Sequence, residues 1–375
     1  MKISQIVPSL EAQHGGPSVS VYQLALAMSS TEHEVELLTT DPSPSPPTTD
    51  GKLTVRPFQR SFPQWLSRSA PLARYLRTNE CDVVHQHSLW LRTLHYAAQR
   101  NKRPPFPPLV IAPRGMMSSW AWGNNRRKKQ FAQERIHPQA METAAGWHAT
   151  SSEEADDIRR LGFTQPICLS PNGVSSPTSA SVVAAELFWR RACPEVASQR
   201  VALFYSRFHR KKRLLELIDL WLVQAPADWL LLVVGIPEEY SVSNIKSYVM
   251  RQSGGGRVQV FSGVNAPPPY AVASLFLLPS HTENFGLVIA EAMAHGVPVV
   301  VTDVTPWAEV NRTECGWCVP WSDYAQTLTV ALAEEPASLR QRGSVAKTWV
   351  AAEYSWVKSA RLLIDFYHEL INHRP

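Results

Sequence analysis

Short apolar, β-branched runs alternate with helical patterns along almost the whole chain. KISQIVPSL, VSVYQLALAMSS and EVELLTT come first, then DVVHQHS, LRTLHYAAQR and LVIAPRG. Strands separated by helices of this length pair in parallel, because a parallel neighbour is reached only through a long crossover. The chain is therefore expected to be an α/β protein. The rhythm breaks after SPNGV at residues 170–174, where SSPTSASVV reads as a linker. It resumes with VALFYS, LLELIDLWLVQA, WLLLVVG, RVQVFSG, SLFLLPS, GLVIAEAMAHG and VPVVVTD. Two Rossmann-like domains follow, 1–175 and 176–355, and 375 residues suffice for both. From Trp356, Val357, Leu362, Phe366 and Leu370 recur at helical spacing, so 356–375 is expected to be a closing helix packed back on the first domain.

Composition narrows the function classes. Hydrophobic residues make up 44% and charged residues 18%, which removes support for disordered, collagen-like and coiled-coil chains. Cys81, Cys168, Cys193, Cys315 and Cys318 are too few and too scattered for a disulfide framework, so a reducing, cytoplasmic compartment is expected. MKISQIVPSL lacks an apolar h-region and reads as a buried strand rather than a secretory signal. Apolar runs such as WLLLVVGI fall short of the roughly 18 residues of a spanning helix. Net charge is +5, yet residues 51–150 hold 16 Lys and Arg against 4 Asp and Glu. Such a field suits nucleic acid, an anionic membrane surface or a phosphorylated substrate, and equally a solvated basic face.

The most informative stretch is LPSHTENFGLVIAEAMAHGVPVVVTD, residues 278–303. It reads as strand, tight loop and helix, with the helix stopped by Gly296 and Pro298 soon after. The loop would lie at the carboxyl edge of an open sheet, where ligands bind. Backbone N–H groups at Phe285, Gly286 and Leu287 would open the helix, and its positive end favours an anion such as a diphosphate. Glu283 precedes the helix and Glu291 lies on its first turns. Either carboxylate can accept hydrogen bonds from the paired hydroxyls of a ribose or hexose.

ENFGLVIAEAMAHGVPVV, with Glu283 and Glu291 in an E-x7-E spacing, resembles the donor-site signature of retaining glycosyltransferases of family 4, built on the GT-B fold. GGPSVSVYQLALAM, carrying Gly15 and Gly16, is similar to the family's glycine loop, and FYSRFHRKKRLLELI to its arginine-and-lysine loop. That likeness carries Arg207 and Lys212 onto the positions that pair with the diphosphate; Arg213 stands where glycine usually follows the lysine. APRGMMSSWAWGNNRRKKQFA, HATSSEEADDIRRLG, SPNGV, DVTPWAEV and CGWCVP resemble a branch that includes enzymes of bacterial surface polysaccharides. Many relatives have histidine where Arg114 stands, which leaves His87 as the nearest candidate to orient an acceptor hydroxyl. The resemblance implies two Rossmann-like domains facing across a cleft and transfer of a hexosyl group, with retention, to a glycan or lipid-linked glycan. It implies a UDP- or GDP-sugar donor as substrate, no metal, no cofactor and no nucleic acid. The basic stretch, densest at Arg126, Arg127, Lys128 and Lys129 within reach of Trp120 and Trp122, is expected to hold a cytoplasmic protein peripherally at the inner face of the cell membrane. An epimerase or sugar-phosphate synthase of the same fold is the nearest alternative.

Competing readings attach to other motifs. Cys315-Gly-Trp-Cys318 has the spacing of a redox pair or half a zinc site, but no second C-x-x-C accompanies it, so a structural turn is expected. Gly254–Gly256 lacks the lysine and hydroxyl of a P-loop. A nucleic-acid-binding protein using the basic stretch is the rival from another class, and it lacks an aromatic-basic recognition motif.

Overall fold

The computed structural model describes residues 1–11, 16–123 and 126–373. It divides into two compact units, residues 1–173 with 356–375, and residues 174–355. Gly15 lies outside the described residues.

The first unit opens with β1 (Lys2–Val7), α1 (Gly16–Ser29), β2 (Glu34–Asp41), β3 (Thr48–Asp50), β4 (Leu53–Gln59) and α2 (Ala70–Thr78). It continues with β5 (Val83–His87), α3 (Arg92–Asn101), β6 (Leu109–Ala112), α4 (Ser119–Gly123), α5 (Arg126–Phe131), β7 (Gly146–Ala149), α6 (Ser152–Arg160) and β8 (Ile167–Leu169). The strands form one sheet in the order β3-β4-β2-β1-β5-β6-β7-β8, parallel except for β3. Strand order runs outward in both directions from the β1/β5 pair, so a topological switch point lies there. His87 is the last residue of β5 and therefore stands at the carboxyl edge of that switch point.

The second unit contains α7 (Ser179–Ala192), β9 (Arg200–Phe208), α8 (Leu214–Gln224), β10 (Trp229–Pro237), α9 (Val242–Met250), β11 (Val258–Ser262) and β12 (Leu275–Leu278). It then adds α10 (Leu287–Ala294), β13 (Val299–Thr302), α11 (Glu309–Arg312), β14 (Gly316–Val319), α12 (Trp321–Ala333) and α13 (Pro336–Glu353). Its all-parallel sheet has the order β11-β10-β9-β12-β13-β14, with the switch point between β9 and β12. The loops after these two strands carry the basic and acidic motifs, so the topology alone brings sequence-distant charges together. Four fully buried tryptophans line this core, Trp189, Trp221, Trp229 and Trp307, and each indole N–H finds a backbone carbonyl. That is the condition under which so much polar-tipped surface can be buried without a lost hydrogen bond.

Helix α14 (Trp356–Asn372) returns the chain to the first unit and packs against α1. Its buried stripe is Ala360, Leu363, Ile364, Phe366 and Tyr367, while Val357 and Leu362 are exposed. The expected face was thus rotated. Gly146 makes room for Phe366, since a Cβ there would lie 2.5 Å from that ring. The expected linker also ends early. Thr178 caps α7 by accepting from the Ser181 N–H, so Ser179 and Ser181, read as part of a connection, lie in the first turn of a helix.

Candidate functional site

In the second unit, β9 ends in the loop that bears Arg207 and Lys212, and β12 in the loop that bears Glu283. The His281 N–H donates to the Lys211 carbonyl at 2.7 Å and locks the two loops together. The Lys212 ammonium donates to Glu283 Oε1, which also accepts from Ser280 Oγ at 3.1 Å. The pair is well covered, with side chains 8% and 10% exposed. Burial by itself raises the Glu283 pKa, but the Lys212 and Lys211 charges and the two side-chain hydrogen bonds outweigh it, and the carboxyl sits below its ordinary range. Arg207 is half-exposed and pairs with Glu238 at 3.0 Å across the ends of β9 and β10. The three residues chosen for the sugar and diphosphate therefore do not act alike: Lys212 and Glu283 form one buried unit, and Arg207 stays open to solvent.

Arg213 adopts φ 50 in the left-handed region as the loop turns into α8. Glycine suits such a backbone, and this explains the residue expected there. Arginine is held instead by its guanidinium, 4.5 Å from the centre of the Trp321 ring. At α10, Gly286 is the N-cap with φ 75, and a Cβ would meet Ile289 at 2.8 Å. The Phe285 side chain is buried against Trp307 and Tyr354, so only its backbone belongs to the site. Trp307 donates its indole N–H to the Phe285 carbonyl at 2.5 Å and sets the entry into the helix. Leu287 begins α10 and packs partly into the core.

Glu291 lies one turn along α10, where the Tyr270 hydroxyl donates to Oε2 at 2.7 Å. Burial raises its pKa, and this hydrogen bond offsets the rise only in part. The fully buried phenol is pushed well above its own ordinary value by burial and then by the Glu291 charge. The two glutamates of the E-x7-E motif thus have opposite electrostatics, one ion-paired and one held by a neutral phenol. Tyr270 and Trp307 were missed as site residues. Trp307 lies in DVTPWAEV, which had the right signal; Tyr270, in PPPYAV, gave none.

At the switch-point edge of the first unit, His87 is fully buried. Its Nδ1 lies 3.1 Å from Arg114 Nη2, and a second guanidinium nitrogen donates to Asn172 Oδ1 at 2.8 Å. A guanidinium only donates, so Nδ1 must accept and the proton of neutral His87 resides on Nε2. That nitrogen is buried without a hydrogen-bond partner. Burial pushes the His87 pKa far below its usual value, and the neighbouring His85 and Arg114 add to the effect. Burial also brings Arg114 down to about 10. His87 thus supports Arg114 through Nδ1, and Arg114 sits in left-handed backbone at φ 55. Gly16 begins α1, beyond the loop that follows β1.

His85, His87 and His148 form the group with metal-like spacing among the described residues. Each has its lone-pair nitrogen engaged otherwise, that of His87 by Arg114. His85 Nδ1 meets the Tyr367 hydroxyl at 2.6 Å, His85 Nε2 meets His148 Nδ1 at 3.3 Å, and His148 Nε2 donates to the Ser170 carbonyl at 2.9 Å. With Arg114 alongside, a cation would meet repulsion and occupied lone pairs, so the cluster fits a hydrogen-bonded core better than a metal centre. Cys315 and Cys318 are buried free thiols whose pKa values burial raises, the second to about 11, which opposes thiolate chemistry.

Residues 15–173 match the Glycosyl transferase 4-like domain and residues 199–334 match Glycosyl transferases group 1, together most of the chain. The chain belongs to the group 1 glycosyltransferases. This glycosyltransferase is 27% identical to a D-inositol 3-phosphate glycosyltransferase of Xylanimonas cellulosilytica over 96% of its own length and 93% of the relative. Its fold matches sucrose-phosphate synthase from Thermosynechococcus elongatus, with a TM-score of 0.78, 20% identity and full coverage of both chains. It also matches Anabaena HepE in complex with UDP-glucose, with a TM-score of 0.74, 18% identity and coverage of 98% and 100%. The glycosyltransferase therefore has the GT-B fold, as two parallel-sheet α/β domains. No helix among the described residues is long and apolar enough to cross a membrane.

Proposed function

We propose that this glycosyltransferase moves a hexosyl group, with retention, from a UDP- or GDP-sugar to a hydroxyl of a glycan or lipid-linked glycan. The setting is bacterial surface polysaccharide synthesis at the cytoplasmic side of the membrane. The first domain takes the acceptor and the second the donor. The reading rests on one observation: two carboxylates of opposite electrostatic character flank the N-terminus of α10, beside a cationic loop tied to the same strand end. HepE in complex with UDP and with UDP-glucose shares the fold and supports a uridine donor.

In this mechanism the N-terminus of α10, Arg207 and Lys212 stabilise the departing diphosphate, where most charge develops. Arg207, the half-exposed cation, meets the diphosphate first. Lys212 delivers its charge while Glu283 holds its position and faces the sugar, and Glu291 accepts the ribose hydroxyls. Cationic side chains replace a metal here, and activity is expected to survive exhaustive chelation. Among the described residues, no group at the β5 edge is suited to deprotonate the acceptor. Arg114 stays protonated, and His87 has its only lone-pair nitrogen occupied. The leaving phosphate oxygen then takes the acceptor proton on the same face, which retains configuration.

A thermal-shift screen of nucleotide sugars identifies the donor, because a ligand bound only by the native state raises its apparent stability. NMR of the first product from an α-linked donor tests the mechanism. An α-linkage supports it, whereas a β-linkage overturns front-face attack.

A further inference from the structure

The first unit contains a cavity of about 560 Å³ whose walls are almost entirely apolar. Trp65, Trp90, Phe131 and Ile136 line it with Lys129, and Arg127 and Lys128 complete the lining. Its size falls within the roughly 300 to 1,000 Å³ of small-molecule sites. Trp65 is 73% exposed and Phe131 57%, an uncommon outlay of aromatic surface for an unliganded face. Residues 132–136 form a π-helical turn directly after α5, a local distortion that recurs at functional sites and that here places Ile136 against the cavity. Trp122 packs against Trp90 and backs the wall.

The charges are asymmetric. Lys129 donates to the Ala121 carbonyl and lies 5.5 Å from the centre of the Trp90 ring, so it is part of the wall. Arg127 and Lys128 are exposed on the rim. An apolar chamber with two outward cations at its mouth complements a hydrocarbon chain that ends in phosphate. Trp90 follows His87 by three residues, so the chamber adjoins the carboxyl edge of the β1/β5 switch point.

We infer that this chamber takes the lipid tail of a phosphate-linked acceptor, with the phosphate on Arg127 and Lys128. The inference rests on the proposed transfer to a lipid-linked acceptor and names the part of the chain that recognises the lipid.

Titration calorimetry on the full chain, with a 15-carbon isoprenyl phosphate below its micellar concentration, provides the test. The alcohol without phosphate and inorganic phosphate serve as controls. The isoprenyl phosphate is expected to bind at least tenfold more tightly than either control. The Trp65→Ala/Phe131→Ala pair should weaken it about tenfold, and Arg127→Ala/Lys128→Ala should reduce it to the affinity of the alcohol. These substitutions are at exposed side chains, and unchanged circular dichroism together with unchanged nucleoside diphosphate binding confirms the fold. Inorganic phosphate binding as tightly as the lipid phosphate overturns the inference, as does a lipid affinity untouched by the aromatic pair. Sedimentation with anionic vesicles that depends on these residues, while the soluble lipid phosphate fails to bind, would make the surface a bilayer contact instead. Loss of the donor reading would show separately, as nucleoside diphosphate failing to bind the unsubstituted chain.

Discussion

The two switch-point edges solve the problem of buried polarity in opposite ways. In the second unit, charge is kept and paired: Lys212 with Glu283, and Glu291 with the Tyr270 hydroxyl. In the first, charge is mostly suppressed. Three neutral imidazoles are packed around one buried guanidinium, Arg114, which donates to His87 Nδ1 and Asn172 Oδ1. A paired ionic site is preorganised to receive a diphosphate, whereas neutral, hydrogen-bonded walls suit uncharged hydroxyls. The contrast separates anchoring by charge from orientation by shape and hydrogen bonding.

Acidification should expose the difference most strongly. The His85, His87 and His148 pKa values lie below 6.5 when folded, that of His148 at about 3, so the unfolded chain binds protons first as pH falls. Stability is lost from about pH 6.5 downward, for His148 at about 1.4 kcal/mol per pH unit, and His85 and His87 act in the same direction. Glu283 has the opposite threshold. Its depressed pKa contributes stability above 4.5 that is lost only as pH falls through the lower folded value. Glu291, with a raised pKa, gains stability on protonation and offsets part of that loss. Hydrogen exchange at pH 7 and pH 5 should show protection falling in β5, β6 and β7 while β9 and β12 hold. Equal loss in both units would erase the contrast.

Breaking the ion pair is the next largest effect. Glu283→Ala strands a buried ammonium, at a cost of about 3 to 5 kcal/mol. Denaturant unfolding should recover much of that loss in the Lys212→Met/Glu283→Gln double variant, while nucleoside diphosphate binding stays weak. Recovery of binding as well would show that the pair is structural alone.

Arg114→Met should lower turnover about tenfold to a hundredfold, about 1.4 to 2.7 kcal/mol in the barrier, while leaving nucleoside diphosphate affinity unchanged. Nitrogen NMR of His87 should then show the loss of a single tautomer. A variant that changes donor affinity instead would place Arg114 with the charge-anchoring residues. The smallest effect is expected at Tyr270→Phe, which removes one hydrogen bond from Glu291 at a cost of about 1 kcal/mol. Calorimetry should find nucleoside binding weakened about fivefold, and an unchanged value would detach Glu291 from the ribose.

The E-x7-E site was legible because its pattern is local. Strand, loop and helix follow one another within residues 275–294, and glycine, carboxylate and helix start occur at spacings that a linear pattern records. The parallel sheets were legible for the same reason, since periods of two and of about 3.6 residues are properties of neighbours in the chain. Which face of α14 is buried was not, because Val357 and Leu362 satisfy helical spacing as well as Leu363 and Phe366 do. Only contact with α1 and the sheet decides between such overlapping stripes. The Ser/Thr run at 175–181 misled because a capping hydroxyl and a linker hydroxyl look alike until the next N–H is in place.

By itself the sequence determined the α/β class, the two-part organisation and the two carboxylates of the E-x7-E motif. Tertiary structure decided their partners: Tyr270 is 21 residues from Glu291, Lys212 is 71 from Glu283, and Tyr367 is 282 from His85. The physical reason is that charge state depends on burial and on nearby groups in space, both created when distant strands are set side by side. Residue type states what a side chain can donate or accept. Its neighbours across the sheet edge decide whether His87 is a ligand-facing group or the support of Arg114.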